Sequence, residues 1–143
     1  MSTDPRTGME ILDEDTCWEL FATADIARLG VVVGDDLEIF PINFVLDGRT
    51  IVFKTGEGTK LAAITIAHRV VLEADGHYLA SNQAWSVVVR GEAERLEDFQ
   101  DIYRAEALPL RAWTGHPKQW YVRIRPTSVT GRGFSIAAPV ADR

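Results

Sequence analysis

The sequence has one cysteine, an excess of acidic residues and no long apolar run, and each feature narrows the kind of protein it encodes. Cys17 cannot form an internal disulfide, and its apolar helical setting predicts a core residue. Fifteen basic against twenty-one acidic residues give a net charge of -6, which disfavours nucleic acid as a partner. The N-terminus lacks the features of a signal peptide and no segment is long enough to span a membrane, so we expect a cytoplasmic protein without membrane association.

Signatures of metal or nucleophilic catalysis are also scarce. His68, His77 and His116 show no metal-ligand spacing, so we predict no metal site. Ser86 has no base visible in the sequence, and no acid–base pair stands out. Redox chemistry, if the protein carries it out, must therefore come from a cofactor.

The length of 143 residues and the hydrophobic fraction of 46% predict one globular domain spanning 1–143. Residues of about 1–10 and 136–143 are weakly patterned, and we expect them to be flexible tails.

Local patterns predict a mainly β protein with flanking helices. Asp13 and Asp98 are placed to cap two amphipathic helices. Asp47-Gly48 between apolar runs predicts a β-hairpin, and Gly91 is the candidate bend or bulge in a long strand. The predicted strands are Val31–Val33, Glu38–Leu46, Ile51–Phe53, Arg69–Ala74, Ala84–Leu96 and a closing segment from Trp120 to Phe134. Because hairpins dominate over βαβ alternation, we predict an antiparallel sheet curled into a small barrel with helices outside.

The segment Thr55 to Lys60 follows a strand and opens a helix, which is the local setting of an anion site. Thr55 and Thr59 can donate hydroxyl hydrogen bonds, Lys60 adds positive charge, and the glycines allow close approach of a phosphate. The order Gly-Thr-Lys does not meet the Walker pattern. On spacing alone, the alternative is a plain strand-to-helix turn with Thr59 as N-cap.

Pro41 interrupts an otherwise regular strand, so the strand should lack a regular neighbour on one side. Strand alternation places Phe40, Ile42 and Phe44 on one face and Pro41 and Asn43 on the other. Asn43 then either satisfies an adjacent turn or hydrogen bonds to the edge of a planar heteroaromatic ligand.

The tryptophans divide into two groups by their surroundings. Trp18 and Trp120 are expected in the core. Trp85, next to Ser86, and Trp113, near Arg111, are better placed to line a ligand or a dimer contact.

These features, taken in order, resemble the flavin-nucleotide-binding proteins of the pyridoxamine 5'-phosphate oxidase-like superfamily. The resemblance extends from Leu29 to Phe134. It depends on the combination and order of several sequence segments. The matching segments are Glu38-Ile-Phe-Pro-Ile-Asn-Phe-Val45, Asp47-Gly48, Thr50-Ile-Val-Phe-Lys-Thr-Gly-Glu-Gly-Thr-Lys-Leu61, Trp85-Ser-Val-Val-Val-Arg-Gly91 and Trp120-Tyr-Val-Arg-Ile124.

The resemblance implies a split β-barrel homodimer that binds FMN in clefts between the subunits. It assigns Lys54, Thr55 and Lys60 to the phosphate, and Ile42, Asn43 and Phe44 to the isoalloxazine ring. It also implies that Trp85, Ser86 and Trp113 reach the flavin from the same subunit or its partner. The predicted cofactor-binding set is Pro41, Ile42, Asn43, Phe44, Lys54, Thr55, Thr59, Lys60, Trp85, Ser86 and Trp113.

Departures from the family pattern limit the function that the resemblance implies. The additional basic residues with which the classical oxidase binds pyridoxal phosphate have no matching set, so that specific activity is not expected. Lys54 stands where the nitroimidazole-reductase-like branch often carries a histidine. Other branches bind haem or the deazaflavin F420, and both remain alternatives to FMN.

The leading hypothesis is an FMN-dependent oxidoreductase that acts on a small molecule by flavin hydride transfer. A second hypothesis is a non-catalytic flavin or haem binder used for storage, sensing or protection. A third is a ligand-free interaction domain in which the turn at Thr55 to Lys60 is only structural.

Overall fold

The computed structural model describes residues 2–56, 58, 62–64, 67–110 and 120–136. Within these ranges the chain forms nine strands and two helices, and residues 62–64 and 67 are also helical. In chain order they are β1 (Ser2–Thr3), β2 (Glu10–Ile11), α1 (Glu14–Phe21), β3 (Ile26–Val33), β4 (Asp36–Asn43), β5 (Val45–Asp47), β6 (Thr50–Thr55), β7 (Arg69–Tyr78), β8 (Gln83–Arg95), α2 (Phe99–Glu106) and β9 (Trp120–Ser135).

The strands form one antiparallel sheet in the order β1-β2-β9-β8-β7-β3-β4, and β6 pairs with both β5 and β9. β4 also contacts β6, so the sheet curls back on itself. The fold is an antiparallel split β-barrel, as predicted. None of the helices in the described part of the chain has the length and apolar character needed to cross a membrane.

Local signals place several elements where the sequence predicts them. Asp13 and Asp98 cap α1 and α2, and each side chain accepts a hydrogen bond from a backbone N–H of the first helical turn. Gly48, with a φ of 61°, lies in the turn between β5 and β6, where positive φ favours glycine. The register between β8 and β9 shifts at Arg90 and Gly91, which confirms the predicted irregularity.

The strand predicted from Glu38 to Leu46 is two strands that separate at Phe44. β4 pairs with β3, whereas β5 pairs with β6. Pro41 lies in β4, which has no second strand neighbour among the described residues. The missing N–H of Pro41 is therefore tolerated at an edge of the sheet, as its position in the sequence predicts.

The N-terminal segment predicted as a tail is instead paired with the sheet. Ser2 and Thr3 pair with Ile11 and Glu10, and β2 in turn pairs with β9. The hairpin of β1 and β2 has little hydrophobic patterning, so the sequence does not predict it. Its neighbour in the sheet, β9, lies more than a hundred residues away in the chain and gives no local signal either. At the other end, residues 137–143 fall outside the described ranges.

The main core lies inside the barrel and is built by alternate residues of the strands. Leu29 of β3, Leu72 of β7 and Val87 of β8 are fully buried, together with Cys17 and Phe21 of α1. The opposite face of β3, β4, β7 and β8, called here the outer face, is more exposed.

Candidate functional site

A groove of about 880 Å³ runs over the outer face. Its apolar lining includes Val32, Leu37, Ile39 and Val71, which are between 36% and 83% exposed. Gly30 lies at the bottom of the groove beside Val71. A Cβ at this position would lie only 2.8 Å from Cγ1 of Val71, so glycine keeps this space open. This outer groove is a concave, apolar surface left open by a single chain.

Polar side chains form a cluster on the same face, beside the outer groove. Arg28 Nη1 lies 2.9 Å from Glu73 Oε1 and 3.0 Å from Asp75 Oδ2. The hydroxyl of Ser86 donates a hydrogen bond of 3.2 Å to the other oxygen of Glu73. Arg28, Glu73 and Asp75 also line a smaller groove of about 380 Å³ that shares Gly30, Ile39 and Val71 with the outer groove.

The carboxyl of Glu73 in this polar cluster has a raised pKa. Burial raises the pKa of Glu73, and the neighbouring Asp75 raises it further. The hydrogen bonds from Ser86 and Arg28 act in the opposite direction and do not cancel the shift. The outer face thus presents hydrogen-bond donors, acceptors and a carboxyl that keeps its proton to a higher pH than an ordinary glutamate.

The segment from Pro41 to Phe44, predicted to contact the flavin ring, does not present all its side chains on one face of the sheet. Pro41 pairs with Arg28 across the outer face, and Asn43 pairs with Ile26. The Asn43 side chain donates a hydrogen bond of 3.1 Å to the carbonyl of Asp25, which is the turn-satisfying role left open by the sequence. The remaining two members of the segment, Ile42 and Phe44, pack against the main core.

Trp85 and Ser86 lie on opposite faces of β8, because successive strand residues point in opposite directions. Ser86 is on the outer face with Glu73. Trp85 is 5% exposed and packs over Gly76, where a Cβ would lie 2.4 Å from the indole nitrogen. Within this chain, their two side chains therefore cannot reach one ligand from the same side of the sheet.

Lys54 and Thr55 lie at the end of β6, where the predicted phosphate turn begins. The Lys54 ammonium is 5.1 Å from the ring centre of Tyr121, its neighbour on β9. Thr55 is 7% exposed and pairs with Trp120. The guanidinium carbon of Arg95 lies 3.5 Å from the ring centre of Trp120.

Three further predicted site residues, Thr59, Lys60 and Trp113, lie outside the described residues. Their roles therefore stay predictions. Within the described ranges, no three His, Cys, Asp or Glu side chains come close enough to hold a metal ion.

The site residues predicted from the sequence do not include Arg28, Glu73, Asp75 or Arg95. Alternation within β7 does place Glu73 and Asp75 on one face with Val71, which was a usable signal. Arg28 is separated from these carboxylates by 45 and 47 residues, so only the pairing of β3 with β7 brings them together.

Known proteins share this architecture and sequence pattern. A sequence model of the pyridoxamine 5'-phosphate oxidase family matches residues 13–133. The chain belongs to that family.

The chain is similar to proteins of Corynebacterium and Mycobacterium. A candidate pyridoxamine 5'-phosphate oxidase from Corynebacterium glutamicum has 38% sequence identity and a TM-score of 0.80, covering 90% of this chain and 99% of that one. An FAD-binding protein from Mycobacterium smegmatis has 41% identity and a TM-score of 0.75, covering 87% of this chain and 99% of that one. An uncharacterised protein of Mycobacterium tuberculosis is 37% identical over 99 residues, which cover 69% of this chain and 87% of that protein. Of these similar proteins, the one from Mycobacterium smegmatis binds FAD.

Proposed function

We propose that this chain is a homodimeric flavin-nucleotide-binding oxidoreductase that takes FMN as its cofactor and a small organic molecule as its substrate. The outer groove is the observation that carries the proposal. Its apolar floor lies beside a hydrogen-bonding polar cluster, and it is open where a second surface could close it.

The outer face fits the ring of a flavin. Its groove of about 880 Å³ falls within the size range of sites for cofactors and drug-sized ligands, roughly 300–1,000 Å³. Val71 and Ile39 offer apolar contact, while Arg28, Glu73 and Ser86 offer donors and acceptors for the polar edge of the ring. Pro41 and Asn43 on the edge strand would border the ring.

The end of β6 fits the phosphate. Lys54 has no carboxylate partner among the described residues, although acidic residues outnumber basic ones in the chain. Lys54 and Thr55 would hold the phosphate together with Thr59 and Lys60 of the following turn. Their positive charge and hydroxyl groups suit a phosphate monoester.

A second copy of the chain would cover the outer face. Leu37 and Ile39 are 83% and 71% exposed on an edge strand, which is an unfavourable arrangement for an isolated protein in water. Trp113 stays a candidate contact from the partner or the same subunit, as the family resemblance implies. Trp85 is 5% exposed within the main core, so it does not offer its ring to the outer face of its own subunit.

When bound, the flavin would supply hydride transfer to or from the substrate. The chain's own residues would bind the phosphate, orient the ring and exclude water from the groove. Glu73 can carry a proton on its carboxyl, since its pKa is raised. Because the sequence lacks the basic residues expected for pyridoxal phosphate, we propose a substrate other than pyridoxamine 5'-phosphate.

The proposal is tested by the visible spectrum of the purified protein, with mass identification of whatever is released on denaturation. Protein that emerges colourless is reconstituted separately with FMN, FAD, F420 and haem. We expect a flavin spectrum and release of FMN. Steady-state turnover is then measured with quinones and nitroaromatic compounds, using reduced nicotinamides as electron donors.

The outcomes separate the hypotheses. A Soret band would replace the flavin proposal by haem binding, and preferential reconstitution by F420 would replace FMN. Flavin binding without turnover would identify a storage or sensing protein. Protein that stays colourless with all four cofactors would contradict the proposal.

A further inference from the structure

Arg95 has no carboxylate partner among the residues that the structure describes, although the protein is acidic. Six described arginines form ion pairs, namely Arg6, Arg28, Arg49, Arg104, Arg123 and Arg125. Four do not within the described ranges, namely Arg69, Arg90, Arg95 and Arg132, and of these four Arg95 combines a stacked guanidinium with a buried donor. The neighbouring Glu94 pairs with Arg125 across the strands and not with Arg95. The positive charge of Arg95 is thus left available although an acidic residue adjoins it.

The guanidinium of Arg95 is held in place by stacking. Its central carbon lies 3.5 Å from the ring centre of Trp120, which is a close cation–π contact. Arg95 is the last residue of β8, and Trp120 is the first residue of β9. Trp120 is itself partly buried against the main core, so it provides a rigid support for the planar group.

One donor of Arg95 is buried without an acceptor. Its Nε has no hydrogen-bond partner among the described residues, although it is shielded from solvent. Leaving a buried donor of a charged group unsatisfied costs free energy. Such a group is better satisfied when an anion binds beside it.

Arg95 lies beside the end of β6, where the flavin phosphate is proposed to bind. Trp120 pairs in register with Thr55, the last residue of β6. Thr55 and Trp120 therefore share one face of the sheet, and Arg95 stacks on that face. From Thr55 the chain enters the turn proposed to hold the flavin phosphate, with Lys54 on the opposite face of β6.

We infer that Arg95, stacked on Trp120, is a further phosphate-binding residue at the end of β6. This inference rests on the proposed function and adds a residue to its phosphate end. The planar guanidinium has a geometry that suits two phosphate oxygens, and its stacking reduces the freedom lost on binding. Arg95 thus selects for the phosphorylated ligand over the same ring without phosphate.

The test compares FMN with riboflavin, which has the same ring and no phosphate. Both dissociation constants are measured by flavin fluorescence for the full-length wild type, Arg95→Met, Arg95→Lys and Arg125→Met. Methionine keeps apolar bulk over Trp120. Arg125→Met is the matched control, because it removes one exposed positive charge from the same region of the sheet.

We expect Arg95→Met to weaken FMN binding by about 10- to 100-fold and to leave riboflavin binding within about twofold, as the loss of a charged hydrogen bond predicts. Arg95→Lys should restore part of the preference, and Arg125→Met should retain it. Equal weakening of both ligands would show that Arg95 only supports Trp120, and it would overturn the inference. Unchanged affinity of Arg95→Met for FMN would overturn it as well.

A second measurement keeps this inference separate from the proposed function. Inorganic phosphate and pyrophosphate are titrated into the protein while tryptophan fluorescence is recorded, with Trp120→Phe identifying the responding residue. If no flavin binds but the phosphate response is present and Arg95→Met abolishes it, the proposed function fails and the anion site stands. If the wild type binds neither flavin nor these anions, the inference is overturned.

Discussion

At the scale of single residues, Asp47 does more than form a turn. Arg104 of α2 donates a hydrogen bond of 3.1 Å to one Asp47 oxygen, and Arg123 of β9 lies 3.1 Å from the other. The Asp47–Arg123 pair is nearly buried, with side-chain exposures of 14% and 10%. Burial acts to raise the pKa of Asp47, but the two arginines outweigh it and hold the pKa below its ordinary value. Asp47 therefore joins the β5–β6 hairpin to α2 and β9.

Asp47→Asn is expected to lower the free energy of unfolding by about 2 kcal/mol at neutral pH, because it leaves the Arg123 charge poorly paired. A depressed folded-state pKa stabilises the protein above the unfolded pKa, and this contribution is lost as pH falls through the folded pKa. The difference between wild type and variant should thus shrink below about pH 4. Urea unfolding at several pH values measures this difference in the free energy of unfolding. Glu94→Gln is the control, because Glu94 belongs to an exposed ion pair, and we expect it to change stability by less than about 1 kcal/mol. An equal loss in both variants would contradict this role of Asp47.

At the scale of elements, α1 depends on its first residues because it is only eight residues long. The Asp13 side chain accepts a hydrogen bond of 2.8 Å from the backbone N–H of Thr16. This bond lowers the pKa of Asp13, since it favours the charged carboxylate. The helix places Cys17 and Phe21 in the main core, so its cap matters for packing as well.

Asp13→Ala should lower the melting temperature at neutral pH, whereas Asp13→Asn, which keeps the capping oxygen, should stay close to wild type. The wild-type carboxylate loses its advantage as pH falls through its lowered folded pKa, so the deficit of the alanine variant should diminish in acid. Thermal unfolding followed by circular dichroism checks both effects. If asparagine were as harmful as alanine, charge at the helix start would matter more than the capping bond.

At the scale of the whole molecule, the outer face is the proposed interface of the homodimer. Exposed apolar residues on β3, β4 and β7 surround the outer groove, and they would be covered in the proposed homodimer. A matched pair of leucines allows a controlled test. Leu37 lies in this face and is 83% exposed, whereas Leu79 follows β7, does not line the groove and is 84% exposed.

Leu37→Glu should weaken self-association by about 30-fold or more, because it would bury a carboxylate in an apolar interface. Leu79→Glu should retain the wild-type association. Sedimentation equilibrium over a range of protein concentrations measures both, and flavin content per chain is recorded for each species. A monomeric wild type, or a Leu37→Glu variant that associates normally, would contradict the proposed interface.

Local patterns in the sequence determined the secondary structure near turns and caps. Asp13, Asp98 and Asp47-Gly48 act through hydrogen bonds and backbone preferences within a few residues, so their effect can be predicted from neighbours alone. The proline in β4 likewise predicted an edge position, because it removes a donor wherever the strand lies. The family resemblance then supplied the split-barrel fold.

Only the tertiary structure decided which side chains meet. Arg28 reaches Glu73 because β3 pairs with β7, and Arg95 reaches Trp120 because the end of β8 lies against the start of β9. Trp85 and Ser86, which adjoin in sequence, are separated by the sheet. Local preferences fix the backbone over a few residues, whereas contacts between distant residues depend on strand order and register, which emerge only when the whole sheet packs around its core.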